Sequence, residues 1–252
     1  MTAKVYFFIQ ARLGSTRLPG KLLEPVSDDQ TLIELVHDRL QRSKHFALER
    51  TYFLTTTNPA DDALVAFCER RGWQTFRGDE ERVFLRFQDL CREVQPDYFF
   101  RICSDNPFLE PAFLDQLGDL VQAGDRSDYL SFADAKGTPV IRTHYGFFAE
   151  LVRGQTFLEI DADSLSRTEL EHVTPVFYGY PERFHLRWLS VPSELENPNV
   201  RLTVDTAEDL ELARKIIAKV GRNFNIYDVY ALLQQEPTWL QCMRHQIKRN
   251  EK

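Results

Sequence analysis

Short runs of β-branched and aromatic residues alternate with amphipathic helical stretches along the first two-thirds of the chain. Runs of this length and composition predict buried strands. Between them, apolar side chains recur every three or four positions, which predicts helices at 32–40, 64–68 and 84–94. Strand–helix alternation of this kind is typical of an α/β fold, with a mostly parallel sheet flanked by helices. The predicted strands are 5–10, 51–55, 74–77, 97–103 and 129–133.

The rest of the chain is less regular at first. Residues 132–165 predict a small lobe or an antiparallel excursion. The pattern then resumes with a helix at 169–178, strands at 185–191 and 200–204, and a helix at 207–220. Ser166-x-x-Glu169 and Thr206-x-x-Asp209 resemble capping boxes at helix starts. The polar and basic segment 241–252 is predicted to fray.

Composition narrows the class of protein. The chain has 252 residues, of which 43% are hydrophobic, so we expect a single domain over residues 1–252. A formal net charge of −7 argues against a nucleic-acid partner. No apolar run approaches the roughly 18–20 residues that span a bilayer, so no membrane insertion is expected. The four cysteines form no C-x-x-C pair and predict the free thiols of a cytoplasmic protein.

Residues 10–21, here called the basic loop, directly follow the first predicted strand. Open α/β sheets bind ligands at the carboxyl ends of their strands. Glycines allow close backbone approach, hydroxyls donate hydrogen bonds, and guanidinium and ammonium groups bind phosphate. The loop fits a polyphosphate, but its spacing is neither that of a P-loop nor G-x-G-x-x-G. The alternative is a flexible surface loop that is merely basic. Its candidate ligand residues are Ala11, Arg12, Gly14, Ser15, Thr16, Arg17 and Lys21, with Gly20 as a second turn glycine.

Two aspartates follow predicted strands. Asp105 lies after strand 97–103, and Asp205 follows 201–204. If those strands are parallel, both carboxylates reach the sheet edge that carries the basic loop. Two carboxylates beside a triphosphate predict an Mg²⁺ site completed by phosphate and water. Taken singly, each aspartate is equally well explained as a turn or cap acceptor.

Several motifs together carry a family resemblance. Residues 9–21 read I-Q-A-R-L-G-S-T-R-L-P-G-K, and this loop resembles the signature of the CMP-sugar-acid synthetases, the Kdo and acylneuraminate cytidylyltransferases. Further matches are T-T-T-N-P-A-D-D at 55–62, F-R-G-D-E-E at 76–81, R-I-C-S-D-N-P at 101–107, E-H-V-T-P at 171–175 and R-L-T-V-D-T-A-E-D-L at 201–210. The chain is most similar to the spore-coat polysaccharide, SpsF-type, branch.

The resemblance implies a Rossmann-like nucleotidyltransferase fold of the GT-A kind, a CTP substrate, Mg²⁺ and a homodimer. By position, Arg12 and Lys21 would bind the triphosphate and, with the metal ligands Asp105 and Asp205, form the catalytic set. The nucleotide contacts implied in this way are Ala11, Arg12, Gly14, Ser15, Thr16, Arg17, Lys21, Thr56, Arg77, Asp79 and Ser104.

The acceptor region departs from that branch. Leu85, Pro139 and Ile141 stand where the branch has acids. Arg142 and His144 follow, and in an extended segment two residues of this spacing share a face. They predict a site for an anionic acceptor, a carboxylate or a phosphomonoester. The alternative is a surface strand whose Arg and His meet water.

The leading hypothesis is a cytidylyltransferase that transfers CMP from CTP to a small anionic acceptor and releases pyrophosphate, in the biosynthesis of surface polysaccharide or another glycoconjugate. A metal-dependent glycosyltransferase is the second hypothesis, although the usual D-x-D is absent from Ser104-Asp105-Asn106. A nucleotide-binding protein without catalysis is the third.

Overall fold

A seven-stranded sheet forms the centre of the computed structural model, which describes residues 2–250. The strand order is β5-β4-β1-β6-β8-β7-β9, and every neighbouring pair is parallel except the two made by β8. The predicted mostly parallel α/β sheet is therefore confirmed. The strands of this sheet are β1 (Val5–Gln10), β4 (Thr51–Thr56), β5 (Gln74–Gly78), β6 (Tyr98–Cys103), β7 (Tyr129–Ala133), β8 (Glu150–Arg153) and β9 (Leu186–Ser190); β2 (Pro25–Ser27) and β3 (Gln30–Thr31) form a separate hairpin.

Helices cover both faces of the sheet because side chains along each strand alternate between them. In β1, Phe7 and Ile9 belong to one buried cluster and Phe8 to the other. The first cluster packs beneath α1, α2, α4, α8 and α9, and the second beneath α3, α5 and α7. The helices are α1 (Leu32–Gln41), α2 (Asp62–Glu69), α3 (Val83–Val94), α4 (Pro111–Gln122), α5 (Gly154–Glu159), α6 (Arg167–His172), α7 (Pro175–Gly179), α8 (Ala207–Val220), α9 (Ile226–Gln235) and α10 (Pro237–Asn250).

The predicted excursion within 132–165 is confirmed as antiparallel, and it joins the sheet instead of forming a lobe. Strand β8 enters between β6 and β7 and runs against both. Because it is antiparallel, its first residue, Glu150, lies at the edge where β1 and β6 end. The predicted capping boxes at Ser166 and Thr206 are present and start α6 and α8.

Three predicted elements differ from the structure. The helix over 169–178 is two short helices, because Val173 adopts a φ of 72° and Pro175 starts a new helix. The strand over 200–204 is instead an extended segment outside the sheet. It makes isolated backbone hydrogen bonds, from the Leu202 amide to the His144 carbonyl and from the Val204 amide to the Asp105 carbonyl. These do not form the regular hydrogen-bond pattern of a β-sheet.

The prediction of a frayed tail at 241–252 is wrong for residues 241–250, because these belong to α10. Met243 and Ile247, four residues apart, are buried and anchor one helix face. The polar composition of the segment hid this pair. Residues 251 and 252 lie outside the described residues.

Candidate active site

A cleft of about 1980 Å³ opens at the carboxyl edge of the parallel strands. Ligand pockets commonly enclose about 300–1,000 Å³, so this cleft has room for two substrates. We call the side formed by the basic loop, Asp105 and Asp205 the nucleotide half, after the ligand predicted for it. The side formed by residues 140–150, α6 and α7 is called the acceptor half for the same reason.

The basic loop is pinned at its base by backbone bonds. The Ala11 amide donates to the Leu54 carbonyl at 3.0 Å, and the Gly20 amide donates to the Leu13 carbonyl at 2.9 Å. Gly20 has a φ of 74°, a conformation that favours glycine. Ala11 is buried, and neither Ala11 nor Gly14 lines the cleft. The loop residues that do line it are Arg12, Ser15, Thr16, Arg17 and Lys21, together with Ser104 from the end of β6.

A buried carboxylate that the sequence analysis did not select also holds this loop. Asp61 accepts from the Leu13 amide at 2.7 Å and from both the amide and the hydroxyl of Thr56. It is 2% exposed. The acids at 61–62 in the T-T-N-P-A-D-D motif were the available signal, because an acid after an Asn-Pro turn can fold back on the preceding loop.

Besides Ala11 and Gly14, three more predicted nucleotide contacts lie outside the cleft. Thr56 is buried against Asp61. Arg77 donates to the Thr56 carbonyl at 2.7 Å. Asp79 accepts from the Arg82 amide at 2.8 Å, and this bond lowers the pKa of Asp79. In this structure the three side chains brace the loops beneath the cleft, and a direct contact with nucleotide stays a prediction.

The two predicted metal ligands converge on Lys21. The Lys21 ammonium lies 3.3 Å from an Asp105 oxygen and 3.5 Å from an Asp205 oxygen. Its third partner is the Val204 carbonyl at 2.6 Å. Arg17 adds an ion pair to Asp205 at 2.8 Å. The juxtaposition of both aspartates with the basic loop, expected from the strand ends, is therefore present.

Arg201 holds Asp205 from behind. Its Nη2 donates to Asp205 and to Asp209, both at 2.8 Å, and its Nε donates to Asp209 at 2.9 Å. Burial acts to raise the pKa of Asp209, but the hydrogen bond and charge of Arg201 outweigh it and the pKa lies below its ordinary value. Asp209 also accepts from the Asp205 amide, so the segment is fixed before any ligand arrives.

The predicted cation pair in the acceptor half is corrected in its geometry. Arg142 belongs to a single 3-10 turn, Val140–Arg142, and not to an extended segment. His144 Nδ1 lies 2.7 Å from Nη1 of Arg201. Because a guanidinium can only donate, Nδ1 must accept, and the imidazole is the neutral form with its proton on Nε2. Both residues line the cleft, but only Arg142 brings a positive charge.

A buried ion pair forms the floor of the acceptor half. Arg101 of β6 lies 3.1 Å from Glu150 of β8 and donates to Gln10 at 2.9 Å. Glu150 also accepts from the Tyr129 hydroxyl. Burial, with Glu150 nearby, raises the pKa of Tyr178 to about 12. Arg101 and Glu150 were missed, although a charged residue inside an apolar strand signals a buried partner.

The donor set fits a divalent ion. Within the described part of the chain, no three His, Cys, Asp or Glu side chains cluster as ligands. Asp105 and Asp205 supply two hard oxygen donors, and Mg²⁺ characteristically takes one or two carboxylates and completes its shell with water and substrate phosphate.

Comparison with known proteins gives a consistent result. A family model described as cytidylyltransferase matches residues 6–231. The chain is 33% identical to the spore coat polysaccharide biosynthesis protein SpsF of Bacillus subtilis, over 92% of this chain and 95% of that protein. A cytidylyltransferase structure from Leptospira borgpetersenii is 28% identical with a TM-score of 0.81, covering 95% of this chain and 97% of that one. A CMP-2-keto-3-deoxy-manno-octonic acid synthetase complexed with CTP shares the fold at 17% identity and a TM-score of 0.64, over 86% and 99% of the two chains.

Proposed function

The chain belongs to the cytidylyltransferase family, and from that premise we propose that its cleft joins CMP from CTP to a small anionic acceptor and releases pyrophosphate. One observation carries the proposal. The Lys21 ammonium of the basic loop lies between the carboxylates of Asp105 and Asp205, and all three residues line a cleft large enough for two substrates.

Positioning and charge supply the catalysis on this proposal. Arg12, Arg17 and Lys21 bind the triphosphate and offset the charge that builds on pyrophosphate as it leaves. Ser15 and Thr16 line the same side and donate hydroxyl hydrogens. Asp105 and Asp205 would hold a divalent ion, for which we propose Mg²⁺, and such an ion polarises phosphate oxygens when bound.

The acceptor half supports an anionic acceptor. The described residues that line the cleft include eight Arg or Lys and six Asp or Glu, although the whole chain carries a net charge of −7. Arg142 faces the cleft as a cation, and His144 faces it as a neutral donor. A carboxylate or phosphomonoester would accept from both.

The biological setting is also a proposal. The similarity to SpsF and to a sugar-acid synthetase supports a role in the biosynthesis of surface polysaccharide or another glycoconjugate. We propose a cytoplasmic homodimer, as the family resemblance implies. Within residues 2–250, none of the helices combines the length and apolar character needed to cross a bilayer.

The decisive experiment incubates the purified protein with CTP, Mg²⁺ and a panel of sugar acids and phosphorylated polyols. Pyrophosphate release should depend on one of these acceptors. The mass of the product then identifies the acceptor group, because a sugar-acid hydroxyl gives a CMP-linked product and a phosphomonoester a CDP-linked one. Transfer from a nucleotide sugar, without pyrophosphate release, would identify a glycosyltransferase and contradict the proposal.

Asparagine substitutions test the carboxylate pair. Asp105→Asn and Asp205→Asn should each slow turnover on the order of a hundredfold, since a bound metal supplies several kcal/mol to the transition state. The double variant should be scarcely slower than either single one, because both serve one ion. Asp163→Asn, at an exposed acid outside the cleft, is the matched control. If the loss of turnover in the double variant equals the product of the two single losses, the carboxylates act independently and do not share one ion.

A further inference from the structure

Lys21 is committed to three oxygen partners. Its ammonium donates to the Val204 carbonyl at 2.6 Å and to Asp105 at 3.3 Å, and it is ion-paired with Asp205 at 3.5 Å. The side chain is 8% exposed. Because both carboxylates and the carbonyl already surround this buried charge, a phosphate oxygen that binds Lys21 competes with these partners.

Asp205 is equally committed. One of its oxygens is ion-paired with Arg17 at 2.8 Å and with Lys21 at 3.5 Å. The other accepts from Arg201 at 2.8 Å and faces the Thr203 hydroxyl at 3.5 Å. Arg201 is buried and anchored by Asp209, so it will not withdraw. Three cations already balance the charge of Asp205, so a divalent ion that binds it competes with Lys21 and Arg17.

We propose that Lys21 is the resident counter-ion of the Asp105–Asp205 pair, and that it moves to phosphate when CTP binds. The exchange of partners at Lys21 and the exchange at the carboxylates are then one event. Phosphate replaces the carboxylates as the partner of Lys21, and the divalent ion replaces Lys21 as the partner of the carboxylates. This inference rests on the proposed function, because it takes the triphosphate and the metal as its ligands.

Charge balance makes the two ligands interdependent. A divalent ion arriving alone meets Lys21 and Arg17 and must displace an ammonium that has no other anion to join. A triphosphate arriving alone draws Lys21 away and leaves two bare carboxylates facing phosphate. When both arrive together, every charge has an opposite neighbour. Metal and nucleotide should therefore bind with positive coupling, and the coupling is reciprocal.

The test measures binding in the absence of acceptor, so that turnover plays no part. Electron paramagnetic resonance counts free Mn²⁺ during a titration of the protein without nucleotide. Calorimetry in the presence of EDTA measures CTP binding without metal. The variant Lys21→Met keeps the length of the side chain and removes its charge. Lys44→Met, at an exposed lysine paired with Asp119, is the matched control.

The expected changes have opposite signs. Lys21→Met should tighten Mn²⁺ binding by at least tenfold, because the carboxylates have lost their counter-ion. The same substitution should weaken metal-free CTP binding by at least tenfold. Lys44→Met should change neither constant. A residue that only supports the fold would weaken both, so the pair of measurements separates the two roles.

Three outcomes are informative. If Mn²⁺ binds Lys21→Met no more tightly than it binds the wild type, the counter-ion role is overturned. If the wild-type protein binds no CTP, the proposed function fails instead, and the Mn²⁺ result on Lys21→Met still decides the counter-ion role. Should thermal melting show that Lys21→Met is unfolded, Lys21→Gln is titrated in its place, with the same expected signs.

Discussion

The two halves of the cleft hold their charges in different ways. In the nucleotide half, Asp105 and Asp205 keep 30% and 18% of their side chains exposed, which suits the proposed exchange of their partners for substrate. In the acceptor half, the floor pair Arg101 and Glu150 keeps only 6% and 2%. The first pair can therefore reach solvent and a ligand, whereas the second is sealed into the floor of the cleft.

The largest expected effect breaks the buried pair. Glu150→Leu leaves Arg101 without its carboxylate, and the loss of one member of a buried ion pair costs about 3–5 kcal/mol of unfolding free energy. Urea unfolding should show this loss. The double variant Arg101→Met/Glu150→Leu should recover most of it, because no buried charge is left unpaired.

The nucleotide half supplies the contrast for that measurement. Asp105→Asn, in a partly exposed ion pair, should cost about 1 kcal/mol or less of the same free energy. If Glu150→Leu costs no more than Asp105→Asn, the difference drawn here between the two halves is wrong.

One source of acid sensitivity lies outside the cleft. His37 is buried and stacked on Trp73 at 4.1 Å, and burial lowers its pKa to about 4 from the ordinary 6.5. The unfolded chain then binds a proton that the folded chain refuses. This contribution to stability is complete above pH 6.5 and falls by up to about 3 kcal/mol as the pH drops towards 4.

His37→Leu should flatten that dependence. Unfolding free energies of the variant and the wild type, measured at pH 7 and pH 4.5, should differ in slope by a sizeable part of that amount. Equal acid losses in the two proteins would remove His37 as the cause.

A smaller effect tests how the acceptor half joins the nucleotide half. Gly146 has a φ of 67°, and a Cβ there would lie 2.8 Å from backbone atoms of Leu202 and Thr203. Gly137 has a similar φ of 79° with open space around it. Both alanine variants incur the backbone strain of about 1–3 kcal/mol, but only Gly146→Ala pushes residues 140–146 off the segment that carries Asp205.

Gly146→Ala should therefore lower both stability and turnover, and Gly137→Ala should lower stability alone. Denaturant unfolding and pyrophosphate release give the two readings. Equal turnover in the two variants would mean that this contact does not position Asp205.

The smallest expected effect concerns the acceptor itself. Arg142→Ala should raise the KM for an anionic acceptor by about tenfold, which corresponds to the loss of about 1.4 kcal/mol from one charge-assisted hydrogen bond. The KM for CTP should stay nearly constant. Lys136→Ala, in an exposed turn outside the cleft lining, is the control. An unchanged acceptor KM would place acceptor recognition elsewhere in the cleft.

The sequence predicted that the basic loop, Asp105 and Asp205 would meet at one edge of the sheet, and the structure brings them together. The loop is continuous in sequence and each aspartate follows a segment predicted to be a strand, so local pattern was enough to place them. Glu150 and Asp61 were missed, and each is paired with a group far away in the sequence, Arg101 at 49 residues and the Leu13 amide at 48. Pairings at such separations leave no periodic signal in one sequence.

The same limit applies to β8 and to the charge of His144. Strand β8 has four residues in an irregular stretch, and it is a strand because β6 and β7 supply its hydrogen bonds. His144 is neutral because Arg201, 57 residues away, donates to it. From its residue type His144 was a potential cation, but its contact with Arg201 in the folded protein requires the neutral imidazole.

The placement of β8 also affects how the protein folds during its synthesis. A ribosome completes β6 about 50 residues before β8, yet β8 is the neighbour that covers one edge of β6. Until residues 150–153 emerge, a nascent chain displays an open apolar edge and an Arg101 without its carboxylate, and open edges invite pairing with other chains. The basic loop is synthesised first, but the pocket floor is closed late. Chains truncated in the interval should be prone to aggregate before any cleft exists.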